Sequence, residues 1–125
     1  MTKRYDIIVV GGGLAGLPMG LALAQGGFEV AVIDRLDPAA ATDAAFDGRA
    51  SAIAFACSRM LDALDVMPRL AGQTQPINDI MVTDGRVSEG ASPFFLHFDH
   101  REIGDEPLGE MVENRHMRIA QLAAA

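Results

Sequence analysis

One cysteine, Cys57, stands alone in a chain of 125 residues. No internal disulfide framework exists, which excludes a disulfide-stapled scaffold and favours a reducing compartment. Basic residues are scarce beside acidic ones: ten Lys and Arg face seventeen Asp and Glu, a formal net charge of −7. That balance argues against nucleic acid as a partner and against a strongly basic membrane-binding surface. No run is long and apolar enough to span a bilayer. The start, Met1-Thr2-Lys3-Arg4, leads straight into a strand pattern. The apolar segment that follows is broken by glycines at phosphate-loop spacing, so it does not read as a signal peptide. No internal repeat or low-complexity tract stands out. Hydrophobic residues make up 50% of the chain, enough for one globular domain with a buried core and no more than one.

What is present is concentrated near the start. Tyr5-Asp6-Ile7-Ile8-Val9-Val10 is a short apolar run rich in β-branched residues, a strand. Gly11-Gly12-Gly13-Leu14-Ala15-Gly16 follows and fits G-x-G-x-x-G. Leu14 to Gln25 reads as a small-residue helix, and Phe28 to Ile33 as a second strand with Asp34 at its end. Strand, glycine loop, helix, strand and acid together form the dinucleotide-binding βαβ pattern, and each part has a job on one ligand. Gly11 allows the tight turn, Gly13 lets a pyrophosphate approach the backbone, and Gly16 lets the helix lie near the sheet. The helix N-terminus offers N–H groups and a positive dipole end to phosphates. Asp34, eighteen residues after Gly16, accepts from ribose hydroxyls and disfavours a 2′-phosphate. Pro18 falls in the first helical turn, where its missing N–H costs little. Gly20 lies on the face of Gly16, and Gly26-Gly27 stops the helix. Without a ligand, three adjacent glycines would need a separate reason for their backbone entropy cost.

Beyond Asp34 the pattern is looser. Leu36 to Gly48 reads as a long loop with Pro38 and Gly48 as breakers, a candidate functional loop. Ser51 to Leu64 reads as an amphipathic helix with Ile53, Cys57, Met60, Leu61 and Leu64 on one stripe, so Cys57 is expected to pack. Ala71 to Pro76 reads as a second polar loop. Ile77 to Val82 and Pro93 to Phe98 read as strands, with a turn at Thr83-Asp84-Gly85-Arg86. The phenylalanines at 94, 95 and 98 are expected in a core. Met111-Val112-Glu113-Asn114 leads into a final helix, Glu113 to Ala125. That helix has no stop signal, and only two parallel strands are visible, so the chain is expected to be the N-terminal part of a longer protein. His97, Asp99 and His100 lack a third ligand on one strand face, and no metal is expected there. His116 is expected at a surface or between helices. Arg49 would be a cation at a helix start, which is unfavourable unless an anion is bound nearby. Asn114 and Arg118 read equally well as an ordinary cap and a solvated partner. No residue stands out as a catalytic base.

Three segments together carry a resemblance: 9–16 (VVGGGLAG), 47–54 (DGRASAIA) and 111–118 (MVENRHMR). In this order and spacing the chain resembles the flavin-dependent aromatic hydroxylases of the p-hydroxybenzoate hydroxylase type, and within them the ubiquinone-biosynthesis hydroxylases. The likeness runs the length of the chain and covers about the first third of that family's length. It implies an α/β fold, a Rossmann-like βαβ FAD-binding domain interrupted by β-strands of a substrate domain, incomplete here. Residues 1–76 would be the first part of the FAD domain, 77–106 the first substrate-domain strands, and 107–125 the return. Gly11, Gly13, Leu14, Ala15 and Gly16 would hold the FAD pyrophosphate, and Asp34 the adenosine ribose, where many relatives carry glutamate. Arg35 would lie along the adenine side, Arg49 on the flavin side, Asn114 near the ribityl chain, and Arg118 would support the phosphates. The family's second FAD motif, a Gly-Asp segment far downstream, is absent, so this chain alone is expected to bind FAD weakly or not at all.

The implied chemistry is monooxygenation of a polyprenylated phenol with NAD(P)H as electron donor and O₂ as co-substrate. The implied setting is the cytoplasm, with peripheral contact to the cytoplasmic membrane and to other ubiquinone-biosynthesis proteins. Rival readings are a flavoprotein hydroxylating a small soluble phenol, a non-catalytic truncated nucleotide-binding module, and a plain NAD dehydrogenase domain. The β-rich stretch after the second helix argues against the last.

Overall fold

The apolar run at the start forms strand β1 (Ile7–Val10), the small-residue stretch forms helix α1 (Gly16–Gln25), and the next apolar run forms β2 (Val30–Ile33). The two strands pair in parallel, with Ile7 opposite Val30 and Val10 opposite Ile33. These features come from a computed structural model that describes residues 3–42, 45 and 47–125. Met1, Thr2, Asp43, Ala44 and Phe46 lie outside the described residues, so the Met1-Thr2 lead-in and part of the Leu36–Gly48 loop lie outside them too. Pro18 is the third residue of α1 and is buried with Leu17 and Gly20. A Cβ on Gly20 would stand 2.7 Å from Val32 Cγ2, so this glycine lets α1 lie against β2.

The long loop after β2 contains one helical turn, α2 (Pro38–Ala41). Pro38 opens it rather than breaking structure, because a first-turn residue has no intrahelical N–H bond to lose. The expected helix from Ser51 divides in two. Residues Ala50–Ala54 form strand β3, and α3 is Phe55–Ala63. After a 3-10 turn at Met67–Leu70, the expected polar loop at 71–76 carries strand β4 (Thr74–Ile77), and the lead into the last helix is strand β7 (Gly109–Glu113). β7 is the middle strand of an antiparallel sheet in the order β3-β7-β4, with Ala50 opposite Glu113 and Thr74 opposite Val112. Pro76 is tolerated because β4 is an edge strand.

Between β4 and β7 a hairpin makes a sheet of its own, from β5 (Asp79–Arg86) and β6 (Gly90–Asp99). The turn lies at 87–89 rather than at Thr83–Arg86. The Asp-Gly pair instead produces an irregularity between Thr83 and Gly85, the local kink that a β-bulge makes inside a strand. Phe94, Phe95 and Phe98 are not core residues: they are exposed, Phe94 at 85%. His97 pairs with Asp79 at 2.8 Å, and Asp99 pairs with Arg101.

The core lies where α3, the 3-10 turn, β7 and the final helix α4 (Asn114–Ala124) meet. Leu61, Leu64, Val66, Leu70, Val112, Met117 and Ala120 fill it, with Leu14, Leu21 and Ile53 packed against it. Cys57 and Met60 do not join this core: both are exposed. The inward face of α3 runs through Ser58, Leu61 and Leu64, which leaves Cys57 and Met60 at its exposed side. His116 is partly buried, 3.5 Å from Glu113.

Candidate cofactor site

A cavity of about 580 Å³ opens where the glycine loop, the end of β2, the loop before β3 and the face of α4 converge. Its wall includes Gly12, Gly13, Leu14, Asp34, Arg49, Asn114 and Arg118. Residues more than a hundred positions apart thus meet around one space, because β7 lies beside β3 and delivers α4 to the glycine loop. A larger hollow of about 840 Å³ between α3 and residues 106–110 gathers none of these residues.

The glycine loop is built tightly. Gly11 has φ +104°, a conformation that favours glycine, and its N–H donates to the Ile33 carbonyl at 2.7 Å. A Cβ on Gly16 would lie 1.7 Å from the Gly11 carbonyl oxygen, and Val9 Cγ1 would be 3.6 Å away. Gly16 therefore admits the loop's own backbone first, and the sheet only second. A Cβ on Gly13 would meet no atom within 4 Å; this backbone faces open space at the cavity wall. Gly11, Ala15 and Gly16 shape the loop without lining the cavity, and Arg35 is exposed outside it.

Asp34 lines the cavity. Its carboxylate accepts from the N–H of Gly12 at 2.7 Å and of Leu36 at 2.8 Å. The Leu36 and Gly12 N–H bonds hold its pKa below the ordinary carboxylate value. A depressed pKa in the folded state contributes stability that is complete above the ordinary carboxylate range and is lost as pH falls through the lowered value. Thermal midpoints of the wild type and Asp34→Asn should therefore differ most near neutral pH and converge under acid. A gap that is constant with pH would show that the charge is not what Asp34 contributes.

The cavity wall also carries two cations, Arg49 and Arg118. Arg49 precedes β3 rather than a helix, so the helix-start argument for a nearby anion does not apply. Instead its guanidinium pairs with Asp47 at 3.0 Å, and its carbonyl accepts from the Asn114 N–H at 3.0 Å. Asn114 opens α4 and is buried, and its side-chain oxygen accepts from the Ser51 hydroxyl at 2.5 Å. Arg118, one turn further along the same face, reaches Asp47 at 2.9 Å. Partial burial raises the Asp47 pKa, but hydrogen bonds from Arg49 and Arg118 more than offset it and keep the carboxyl below its usual range.

Sequence reasoning did not single out Asp47, although it stands two residues before Arg49 in the second motif. Nor did it find Gln121, which is 1% exposed and donates from Nε2 to the Leu14 carbonyl at 3.2 Å. That bond ties α4 to the glycine loop. Apolar wall comes from Leu17, Leu36, Pro38 and Leu122.

This donor set has the chemistry of a dinucleotide site: an ionised acceptor for hydroxyls, guanidinium forks for anionic oxygens, and a stretch of side-chain-free backbone. Residues 6–100 match the FAD binding domain family. The chain belongs to that family. Its cofactor is FAD, and the cavity residues fit that group. The chain is 49% identical to the ubiquinone hydroxylase UbiL of Rhodospirillum rubrum over 96% of its own length and 27% of that protein's. It is 34% identical to the 3-demethoxyubiquinol 3-hydroxylase of Escherichia coli over 96% of its length and 30% of that protein's. The chain thus spans less than a third of the curated relatives it matches. Among solved structures, a peptidyl tryptophan dihydroxylase superposes with a TM-score of 0.55 over 98% of this chain and 23% of that one, at 15% identity. That likeness is one of fold, a mixture of helices and strands.

Proposed function

We propose that this chain belongs to an FAD-dependent aromatic-ring hydroxylase, an enzyme that takes electrons from NAD(P)H and inserts one atom of O₂ into a polyprenylated phenol of ubiquinone biosynthesis. The observation that carries the reading is the identity to a ubiquinone hydroxylase across nearly the whole chain, together with a cavity lined by residues from all three motif segments. FAD, when bound, supplies the activation of O₂. The chain's own residues bind and orient it. Gly11, Gly13, Leu14, Ala15 and Gly16 form the pyrophosphate loop, and Asp34 holds the adenosine ribose. Arg49, Asn114 and Arg118 serve the phosphate and ribityl stretch, and Arg35 flanks the adenine from outside the cavity wall.

The βαβ unit with its glycine loop is the Rossmann-like start of the FAD domain, and residues 107–125 return to it. The β5–β6 hairpin is the first part of the substrate domain. Its exposed Phe94, Phe95 and Leu96 suit a sheet that another part of the protein covers. Among the described residues no helix is long and apolar enough to cross a membrane. A lipid-borne substrate then calls for peripheral contact from the cytoplasmic side.

The test uses the complete protein made by its source. It should retain FAD through purification, oxidise NAD(P)H in a phenol-dependent way, and yield a product one oxygen atom heavier with a prenylated phenol. Turnover of short-chain phenols alone would move the reading to a soluble-phenol hydroxylase. Failure to hold FAD would leave a non-catalytic module.

A further inference from the structure

We propose that Asp47 is a positioning residue for FAD, acting through Arg118 and Arg49; this rests on the FAD reading above. Its Oδ2 accepts from Nη2 of Arg49 at 3.0 Å and from Nη2 of Arg118 at 2.9 Å. Its Oδ1 accepts from the Arg49 backbone N–H at 3.1 Å. One carboxylate therefore joins the loop before β3 to helix α4 across 71 residues of sequence. It does so at the wall of the cavity that also holds Asp34 and Gly13.

The physical need is specific. Two guanidiniums at one edge of a cavity repel each other. Each also carries a long side chain with many rotamers, and that freedom must be lost before it can meet a ligand. A shared carboxylate removes both obstacles in advance. It screens one cation from the other, and it fixes one nitrogen of each fork so that the remaining N–H groups keep a set direction. Arg49 lines the cavity with its side chain two-thirds exposed. Arg118 is only a quarter exposed, and its Nε is buried without a hydrogen-bond partner among the described residues. Asp47 is thus the anchor that the structure gives both heads. The pair of cations exceeds the one carboxylate by a unit charge, which leaves a net attraction for an anionic diphosphate.

The experiment is a double-mutant cycle on FAD affinity in the complete protein, read by flavin fluorescence and not by turnover. D47N should raise the Kd about tenfold, the size of a lost charge-assisted hydrogen bond. R118Q should cost a similar factor. Asp47 acts through Arg118 and Arg49, so adding D47N to the R118Q background should cost about threefold, less than the tenfold it costs alone. Asp47→Glu keeps the charge and should recover most of the affinity. It also carries the same cycle should D47N fail to fold, its smaller loss shrinking further in the R118Q background. A D47N protein that binds FAD as well as the wild type, or tighter, overturns the assignment. So do factors that simply multiply in the double variant. A wild type that binds no FAD overturns the underlying reading, and this assignment with it. A wild type that binds FAD while Asp47 variants are silent overturns this assignment alone.

Discussion

Gly16→Ala is expected to weaken FAD binding by about a hundredfold and to lower the stability of the protein, while Gly13→Ala, three residues earlier, harms binding alone. The difference follows from what each new methyl group meets. At Gly16 the added carbon would lie 1.7 Å from the Gly11 carbonyl oxygen and 2.9 Å from its carbon. No rotamer change can relieve a clash with backbone. Gly11 cannot easily yield either, because its φ of +104° and its hydrogen bond to the Ile33 carbonyl fix the turn out of β1. The loop must open or α1 must move off β1, and overpacking of this kind costs about 3 kcal/mol. At the first turn of α1, a shift of that energy in the bound geometry lowers FAD affinity by about a hundredfold. At Gly13 the new carbon meets nothing within 4 Å, so folding is untouched. The methyl group would instead occupy the cavity beside Leu14, where a phosphate needs the backbone bare. Thermal unfolding without FAD, paired with a fluorescence titration, separates the two. Equal thermal midpoints for the two variants would show that the loop backbone is not the constraint at Gly16.

The parts of the fold that could be read from the sequence are those held by neighbours in the chain. β1, α1 and β2 are contiguous, and their pattern of apolar run, glycines and acid is written within thirty-four residues. The three-stranded sheet could not be read in the same way. Ala50–Ala54 is mostly alanine, a good helix former, and Ile53 sits four residues from Cys57 as on a helical stripe. Its strand state comes from pairing with Gly109–Glu113, some sixty residues away, and from the alternating burial that places Ser51 and Ile53 on one face. Thr74–Ile77 is a strand for the same reason, with β7 as its one partner within the sheet. The site divides along the same line. Gly13 and Asp34 were legible because one local motif contains both. Asp47 and Gln121 were not, because their partners come from the far end of the chain. Phe94 and Phe95 look like core residues by composition. Exposure depends on what lies against a strand, and among the described residues β5 and β6 pair only with each other.

Met117→Ala is expected to cost about 2–5 kcal/mol, the range for truncating a fully buried long side chain. Met117 is 1% exposed and packs in the cluster of Leu61, Leu64, Val66, Leu70, Val112 and Ala120. For a domain of this size each kcal/mol lowers the thermal midpoint by about 4 °C, so a drop of about 10 °C or more should be seen. Met60→Ala is the control. Sequence periodicity placed Met60 on an apolar stripe too, yet it is 48% exposed, and its truncation should stay within about 0.5 kcal/mol. The core variant should also reach the cofactor. α4 carries Asn114 and Arg118 into the cavity wall and ties Leu14 through Gln121. A cavity beneath the helix frees it to shift against the glycine loop, so FAD affinity should fall although no atom of Met117 lines the site. A Met117→Ala protein with wild-type stability would mean that α4 is held by its polar ties to Asp47, Ser51 and Leu14 rather than by its apolar face. A destabilised variant with unchanged FAD affinity would mean that those same ties hold the site together once the packing beneath it is lost.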